Sequence, residues 1–197
     1  MKIIAIDVGN SETTIGVGNS QSWQGYRFTT RKTVTSDELL MMFKTIIDNP
    51  LIKEGLIEGA IICSVVPEIT NSVSEATSRF ISKDVLIVGP GVKTGLKVNI
   101  DNPKELGPDR IANSIGGYSK ASSEVIVVDL GTATTFDIVN TKKEYLGGSI
   151  APGIKISLDA LTSKTSSLKS VELETPKNVI GKNTYEAIQS GLILGHT

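Results

Sequence analysis

The sequence predicts an α/β fold that contains one structural unit twice. The first observation is an apolar stretch at 3–8 that contains an aspartate and turns through a glycine into a second apolar stretch, which is typical of a β-hairpin. The second observation is that the same pattern returns 122 positions later. At this offset Asp7 corresponds to Asp129, Gly9 to Gly131 and Thr13 to Thr135. A single loop of this kind is common in proteins, but two in register indicate a duplicated domain whose loops face one ligand.

Composition narrows the class of protein. The chain has 197 residues and a net charge of −1, which argues against a broad nucleic-acid footprint. Its one cysteine, Cys63, lies in an apolar run and is expected to be a buried strand thiol. The sequence has no secretory signal pattern and no run of the ~20 apolar residues that a membrane span needs, so we expect a cytoplasmic protein. The single histidine, His196, is one residue from the chain end, which disfavours histidine catalysis.

The first half reads as three strands followed by alternating helices and strands. Strands are expected at about 2–7, 13–18 and 23–30, and the third is polar and therefore an edge strand. Ser36 is the expected N-cap of a helix that runs to Asn49-Pro50. A fully apolar strand at 59–66, a helix that opens at Pro67 and a strand at 84–88 follow. The order β-β-β-α-β-α-β is that of a ribonuclease H-like half.

The second half repeats the start of this order. A short extended piece at 96–100 and a helix just after Pro108 precede strands at about 124–129, 134–139 and 144–150. A helix with Ile154, Leu158 and Leu161 on one stripe and a last helix from Asn183 complete it. We therefore expect two ribonuclease H-like halves, 1–100 and 101–197, with mixed sheets flanked by helices and a second half that is incomplete at its C-terminus. Either the chain is shorter than full-length relatives, or another chain supplies the missing surface.

Phosphate binding is assigned to the two hairpin loops. The sequence has neither a Walker A loop nor a Rossmann fingerprint. Backbone N–H groups of tight loops form anion-binding concavities, and the aspartates at the loop mouths suit hard cations bound beside phosphate. Asp137, further along the second hairpin, is either another ligand or a structural or solvated strand acid.

A second group of candidate residues surrounds Asp109 and Arg110. Gly107 and Pro108 fix the backbone just ahead of a predicted helix. An aspartate at such a junction can accept a hydroxyl proton, and an arginine can hold a carboxylate or a phosphate. The alternative is a capping aspartate beside a surface arginine.

Five motifs together resemble those of the type III pantothenate kinases. They are Asp-Val-Gly-Asn-Ser at 7–11, Gly-Pro-Asp-Arg at 107–110, Asp-Leu-Gly-Thr-Ala-Thr at 129–134, Gly-Gly-Ser-Ile-Ala-Pro-Gly at 147–153 and Gly-Lys-Asn-Thr-Tyr-Glu-Ala-Ile-Gln-Ser-Gly at 181–191. The family belongs to the superfamily of acetate and sugar kinases, heat-shock chaperones and actin. The resemblance therefore implies the actin-like ATPase version of the duplicated fold. It also implies ATP-dependent phosphorylation of pantothenate to 4'-phosphopantothenate, the first step of coenzyme A biosynthesis, by a homodimer.

The resemblance also assigns roles by motif. ATP phosphates would be held by Asp7, Val8, Gly9, Asn10, Ser11, Glu12, Thr13, Thr14 and Thr132. Asp7 would bind Mg²⁺, and Asp129 a monovalent cation, potassium or ammonium. Asp109 would be the general base, and pantothenate would contact Gly107, Pro108, Asp109, Arg110 and Thr184. The chain departs from the family pattern at Ile100, where many members have a tyrosine that contacts the acceptor.

Two further functions remain open at this point. One keeps the fold but phosphorylates another small hydroxylated metabolite. The other is an ATP-binding regulator without phosphotransfer, which would need the two phosphate loops but no acceptor base beside an arginine. No nucleic-acid or membrane partner is expected.

Overall fold

Two sheets form the framework of the protein. The computed structural model describes residues 2–47, 57–89, 91–165 and 168–196. The first sheet consists of β1 Lys2–Val8, β2 Glu12–Gly18, β3 Trp23–Thr29, β4 Ile57–Ser64 and β5 Val85–Ile87, in the order β3-β2-β1-β4-β5. β1 pairs antiparallel with β2 and parallel with β4, and β4 pairs parallel with β5. Helices α1 Ser36–Ile47 and α2 Pro67–Ile81 complete the predicted β-β-β-α-β-α-β order, with β3 at the edge.

The second sheet repeats the first hairpin and the strand after it. It consists of β6 Lys97–Val98, β7 Val125–Leu130, β8 Ala133–Val139 and β9 Glu144–Pro152, in the order β6-β9-β8-β7. The helices of this half are α3 Pro108–Ala121, α4 Ile154–Lys164 and α5 Thr184–Leu194. Since β7-β8-β9 is an antiparallel meander like β1-β2-β3, the duplicated ribonuclease H-like α/β fold is confirmed. Within the described ranges, no strand pairs with β7 on its outer side.

The repeat between the hairpins slips by one residue after the turn. Asp7 lies opposite Thr14 across the first hairpin, whereas Asp129 lies opposite Thr135. The second turn is therefore one residue shorter than the first. The predicted match of Thr13 with Thr135 was wrong, because a constant offset holds only until the turn lengths differ.

The predicted N-cap of α1 was also wrong by one residue. The helix begins at Ser36, and the residue before it provides the cap. Thr35 Oγ1 accepts a hydrogen bond from the Glu38 backbone N–H, and the Glu38 carboxylate accepts one from the Thr35 N–H. This reciprocal pair is a capping box. The helix end predicted at Asn49-Pro50 lies outside the described residues.

An apolar core joins the two halves. Cys63 and Val88 from the first half pack in one cluster with Ile111 and Tyr145 from the second. Helix α3 contacts both β4 and β7 and so lies between the sheets. None of the helices in the described part of the chain is long and apolar enough to cross a membrane.

One face of the second sheet is apolar and exposed, unlike its counterpart in the first sheet. In β1, Ile4, Ile6 and Val8 are 2%, 2% and 0% exposed. Their counterparts in β7, at the offset of 122 that holds within this strand, are Ile126, Val128 and Leu130, which are 63%, 50% and 67% exposed. Helices cover this face in the first half, and the described elements of the second half leave it open.

Candidate active site

The two hairpin loops meet directly. The Ser11 and Thr132 hydroxyls are hydrogen-bonded to each other at 2.8 Å. Each loop is closed by a glycine N–H, which donates to Glu12 O in the first loop and to Ala133 O in the second, both at 3.0 Å. The two turns are thus in direct contact, as expected for duplicated loops that face one ligand.

Thr30, which lies outside the predicted motifs, supports the first loop. Thr30 Oγ1 donates to the Gly9 carbonyl at 2.7 Å and is hydrogen-bonded to Thr13 Oγ1 at 2.8 Å. Thr13 is buried, so its hydroxyl stabilises the loop from behind instead of facing the ligand space. No local sequence signal marks Thr30, because its partners lie across the β2–β3 pair.

One glycine allows the chain after β9 to pack against the second loop. Gly153, just past β9, donates its N–H to Thr132 O at 3.1 Å. A Cβ atom at this position would overlap the carbonyls of both Gly131 and Thr132. The last glycine of the motif at 147–153 therefore lets the chain pack closely against the second hairpin loop.

A cavity of about 300 Å³ lies between the first hairpin, β4 and helix α3. Side chains from two of the predicted motifs, at 7–11 and 107–110, meet at this cavity. Its polar lining consists of Asp7, Thr14, Cys63, Asp109 and Asn113. The structure thus brings the proposed phosphate loop and the proposed acceptor base to one cleft.

The carboxylates in this cleft influence one another. The walls of the cleft partly desolvate the Asp7 carboxylate, although its side chain is still exposed to solvent. This desolvation is the main cause that raises the pKa of Asp7, and the negative charges of Asp109 and Asp129 raise it further. Burial, followed by the charge of Asp7, raises the pKa of the Cys63 thiol. Cys63 lies opposite Asp7 in the parallel β1–β4 pair and is buried, as predicted, so it remains a thiol at neutral pH.

Asp109 lies in the first turn of α3, where a negative charge is favoured by the helix dipole. The helix starts at Pro108 itself, whereas the sequence placed this proline just ahead of the helix. Gly107 leaves room for the Asp109 carboxylate, because a Cβ there would overlap Oδ1. One turn further along the same helix, Asn113 Nδ2 donates to Asp129 Oδ2 at 2.8 Å. Helix α3 thus presents the proposed base and fixes the aspartate of the second loop. Asn113 was not among the predicted residues.

Arg110 is not a free surface arginine. Its Nη2 and Nε lie 2.7 and 2.8 Å from Asp137 Oδ1. Asp137 is fully buried, so it is a structural strand acid and not a solvated one. This ion pair excludes a free surface arginine at position 110 and a solvated acid at position 137.

The remaining predicted contacts lie outside this cavity. Thr184 is exposed at the first residue of α5, and the Asn183 side chain caps that helix by accepting from the Glu186 N–H. The Glu12 carboxylate lies 3.5 Å from Arg27 Nε on the neighbouring strand. The Val8 side chain is buried, so this residue can offer a ligand only backbone groups.

The donor set of the cleft fits hard cations. Asp7 and Asp129 offer carboxylate oxygens, which Mg²⁺ and K⁺ prefer over softer ligands. Among the described residues, no group of three or more His, Cys, Asp or Glu side chains is arranged to hold a metal. This arrangement fits a magnesium ion that takes one or two protein carboxylates and completes its shell with phosphate and water oxygens.

Comparison with known proteins identifies the family. A sequence model of the type III pantothenate kinases matches residues 3–197. Proteins named type III pantothenate kinase from Exiguobacterium sp. and Syntrophotalea carbinolica are each 40% identical over 195 residues, which cover 98% of this chain and 77% and 76% of theirs. A crystal structure of a Baf family protein from Campylobacter jejuni superimposes with a TM-score of 0.58 at 20% identity, over 98% of this chain and 75% of the other, and supports the fold. The chain belongs to the type III pantothenate kinase family.

Proposed function

We propose that this protein transfers the γ-phosphoryl group of ATP to the terminal hydroxyl of pantothenate, which yields 4'-phosphopantothenate for coenzyme A synthesis. One observation carries the proposal. Asp109 lines the same cavity as Asp7 and Thr14, which flank the first hairpin loop on β1 and β2. An ATP-binding regulator has no need of an acceptor base at this position. The family membership supports pantothenate as the acceptor over other hydroxylated metabolites.

The mechanism assigns each group a task that its surroundings favour. The backbone N–H groups of the Gly9 and Gly131 loops, with Asn10, Ser11 and Thr132, bind the phosphates. Asp109 orients the acceptor hydroxyl and takes its proton, and Arg110 binds the acceptor carboxylate. Gly107, Pro108 and Thr184 complete the acceptor contacts.

Cations are part of this proposal. Asp7 would hold Mg²⁺ and Asp129 potassium or ammonium, and these ions supply positive charge beside the phosphates. Asp129 lies close enough to Asp7 for its negative charge to raise the pKa of Asp7, which supports the assignment of both residues to one cation-binding region. The homodimer and the cytoplasmic location remain predictions, and light scattering after size-exclusion chromatography tests the first of them.

The test is turnover with a matched pair of variants. Wild-type protein should release ADP in the presence of pantothenate, and mass spectrometry should detect 4'-phosphopantothenate. Asp109→Asn keeps the shape of the side chain but removes its basic oxygen, so kcat should fall by about 10²–10⁴-fold. Asp101→Asn, an exposed aspartate in the preceding loop, is the control and should leave kcat unchanged.

Two outcomes would contradict the proposal in different ways. If Asp109→Asn keeps the wild-type kcat, the base is another residue. If the wild-type protein binds ATP but phosphorylates no acceptor, the regulator is the better description.

A further inference from the structure

The Arg110 guanidinium is fixed in one orientation by a buried carboxylate. Its Nε and Nη2 both contact Asp137 Oδ1, at 2.8 and 2.7 Å. Asp137 is 0% exposed, and the Arg110 side chain is 16% exposed. A buried ion pair of this kind often adds little net stability compared with apolar residues of similar volume. Stability alone therefore gives a weak reason for its presence next to the proposed base.

Two residues of β9 complete the surroundings of this arginine. The Tyr145 hydroxyl donates to Asp137 Oδ1 at 2.7 Å, and its ring lies 5.8 Å from the guanidinium carbon. Gly148 lies opposite Asp137 in the β8–β9 pair. A Cβ at Gly148 would lie 2.8 Å from Arg110 Nη2 and would overlap the Phe136 carbonyl, so only glycine leaves this space open. We call Asp137, Tyr145 and Gly148 the arginine cradle.

The cradle leaves most of the guanidinium donors unused. A guanidinium has five N–H groups, and the contacts to Asp137 through Nε and Nη2 use two of them. Within the described ranges, no other acceptor contacts Arg110. Three donors remain, both hydrogens of Nη1 and the second hydrogen of Nη2, and one N–H of each nitrogen points outward at the end of the fork. Two parallel N–H donors of this kind match the two oxygens of a carboxylate.

We propose that Asp137 and Tyr145 are positioning residues for acceptor recognition, which hold Arg110 so that the end of its guanidinium binds the carboxylate of the acceptor. The inference rests on the proposed function and adds a reason why the site selects an acceptor that carries a carboxylate. An unrestrained arginine side chain loses rotamer freedom when it binds, whereas one already held by the cradle has lost it on folding. Asp137 also cancels part of the positive charge, so the fork favours a carboxylate through geometry more than through net charge.

The test compares two acceptors and two tyrosines. Pantothenamide is the probe that replaces the carboxylate of pantothenate with a neutral amide. Tyr145→Phe removes only the hydroxyl that donates to Asp137 Oδ1 and keeps the ring, while Thr135 Oγ1 still donates to Asp137 Oδ2. The matched control is Tyr118→Phe, since the Tyr118 hydroxyl donates to Thr141 O on the surface of the same half. Thermal unfolding of each variant shows that it is folded.

We expect Tyr145→Phe to lower kcat/KM for pantothenate about tenfold, the effect of one hydrogen bond to a charged group. The same variant should leave kcat/KM for pantothenamide and KM for ATP unchanged. Asp137→Asn should cause a larger loss with the same selectivity, and if it does not fold, Tyr145→Phe still decides the question. The Tyr118→Phe control should match the wild type with both acceptors.

Several results would overturn the inference. Equal losses with the two acceptors would show that Tyr145 is only structural, and no loss would show that the orientation of Arg110 does not matter. A wild-type protein that does not discriminate between the acceptors does not recognise the carboxylate. If neither acceptor is phosphorylated, the proposed function fails, and calorimetric titration with pantothenate then tests the cradle alone. A tenfold weaker affinity in Tyr145→Phe supports it, and equal affinity refutes it.

Discussion

Replacing Asn113 with alanine removes the amide that fixes Asp129, and we expect it to weaken the response to potassium. The amide donates to Asp129 Oδ2 over 2.8 Å. A hydrogen bond to a charged group contributes about 1.5–3 kcal/mol, but both side chains are half-exposed and water can replace the amide, which reduces the loss to about 1 kcal/mol. Since about 1.4 kcal/mol corresponds to a factor of ten, the potassium concentration for half-maximal activity should rise about fivefold.

The assay is ADP release at constant ionic strength, with potassium exchanged against choline. A second readout, independent of turnover, is the rise in melting temperature that potassium causes, which should need the same higher concentration in the variant. Lys120→Ala, at the exposed end of the same helix, is the control and should respond like the wild type. If Asn113→Ala is half-activated at the wild-type potassium concentration, Asn113 does not position a cation ligand.

Three further predictions address the loops and the cleft. Because the pKa of Asp7 is raised in the folded protein, its contribution to stability is greatest below its ordinary pKa of 3.8 and falls as pH rises through the folded value. Asp7→Asn should therefore melt at a higher temperature than the wild type at pH 7 in EDTA, with a gap that closes near pH 4, and a lower melting temperature at pH 7 would contradict this. Thr30→Val should lower the free energy of unfolding by about 1–2 kcal/mol and raise KM for ATP, because it removes two loop hydrogen bonds. Thr45→Val, which removes a single helix-surface bond, should change KM for ATP little, and an equal rise in both variants would count against the loop role of Thr30. Gly153→Ala should weaken ATP binding through the overlap with Gly131 and Thr132, whereas Gly191→Ala, with open space around it on α5, should stabilise the protein by about 0.5–1 kcal/mol. Unchanged ATP affinity in Gly153→Ala, measured by calorimetry, would refute the steric argument.

Local patterns were sufficient for the order of the elements. The two hairpins, the helix that starts at Pro108 and the buried thiol at Cys63 follow from alternation, proline chemistry and apolar runs in short windows. The capping box at Thr35 was missed for a local reason, because Ser36 is an equally good capping residue and only the backbone decides between the two.

The supporting residues of the candidate site depend on pairing over long distances. Thr30 acts through Gly9 because β2 pairs with β3, and Asn113 acts through Asp129 because α3 packs on β7. The partner of Arg110 is set by the position of α3 above β8. The members of these pairs are 16 to 27 positions apart, so no short sequence motif contains both of them. The two hairpins also differ in turn length by one residue, so a constant sequence offset aligns the strands before the turns but not those after them. Only the strand register shows which residues correspond after the turn.

The exposed apolar face of the second sheet has a consequence for local opening. Val8 and its neighbours in β1 are sealed from water, whereas Leu130 and its neighbours in β7 are not, so separation of β7 from β8 exposes little additional apolar surface. The free energy of such partial unfolding is correspondingly small. Amide hydrogens of β7 should therefore exchange with deuterium earlier than those of β1. The Gly131 loop belongs to that hairpin, so it should open more readily than the Gly9 loop.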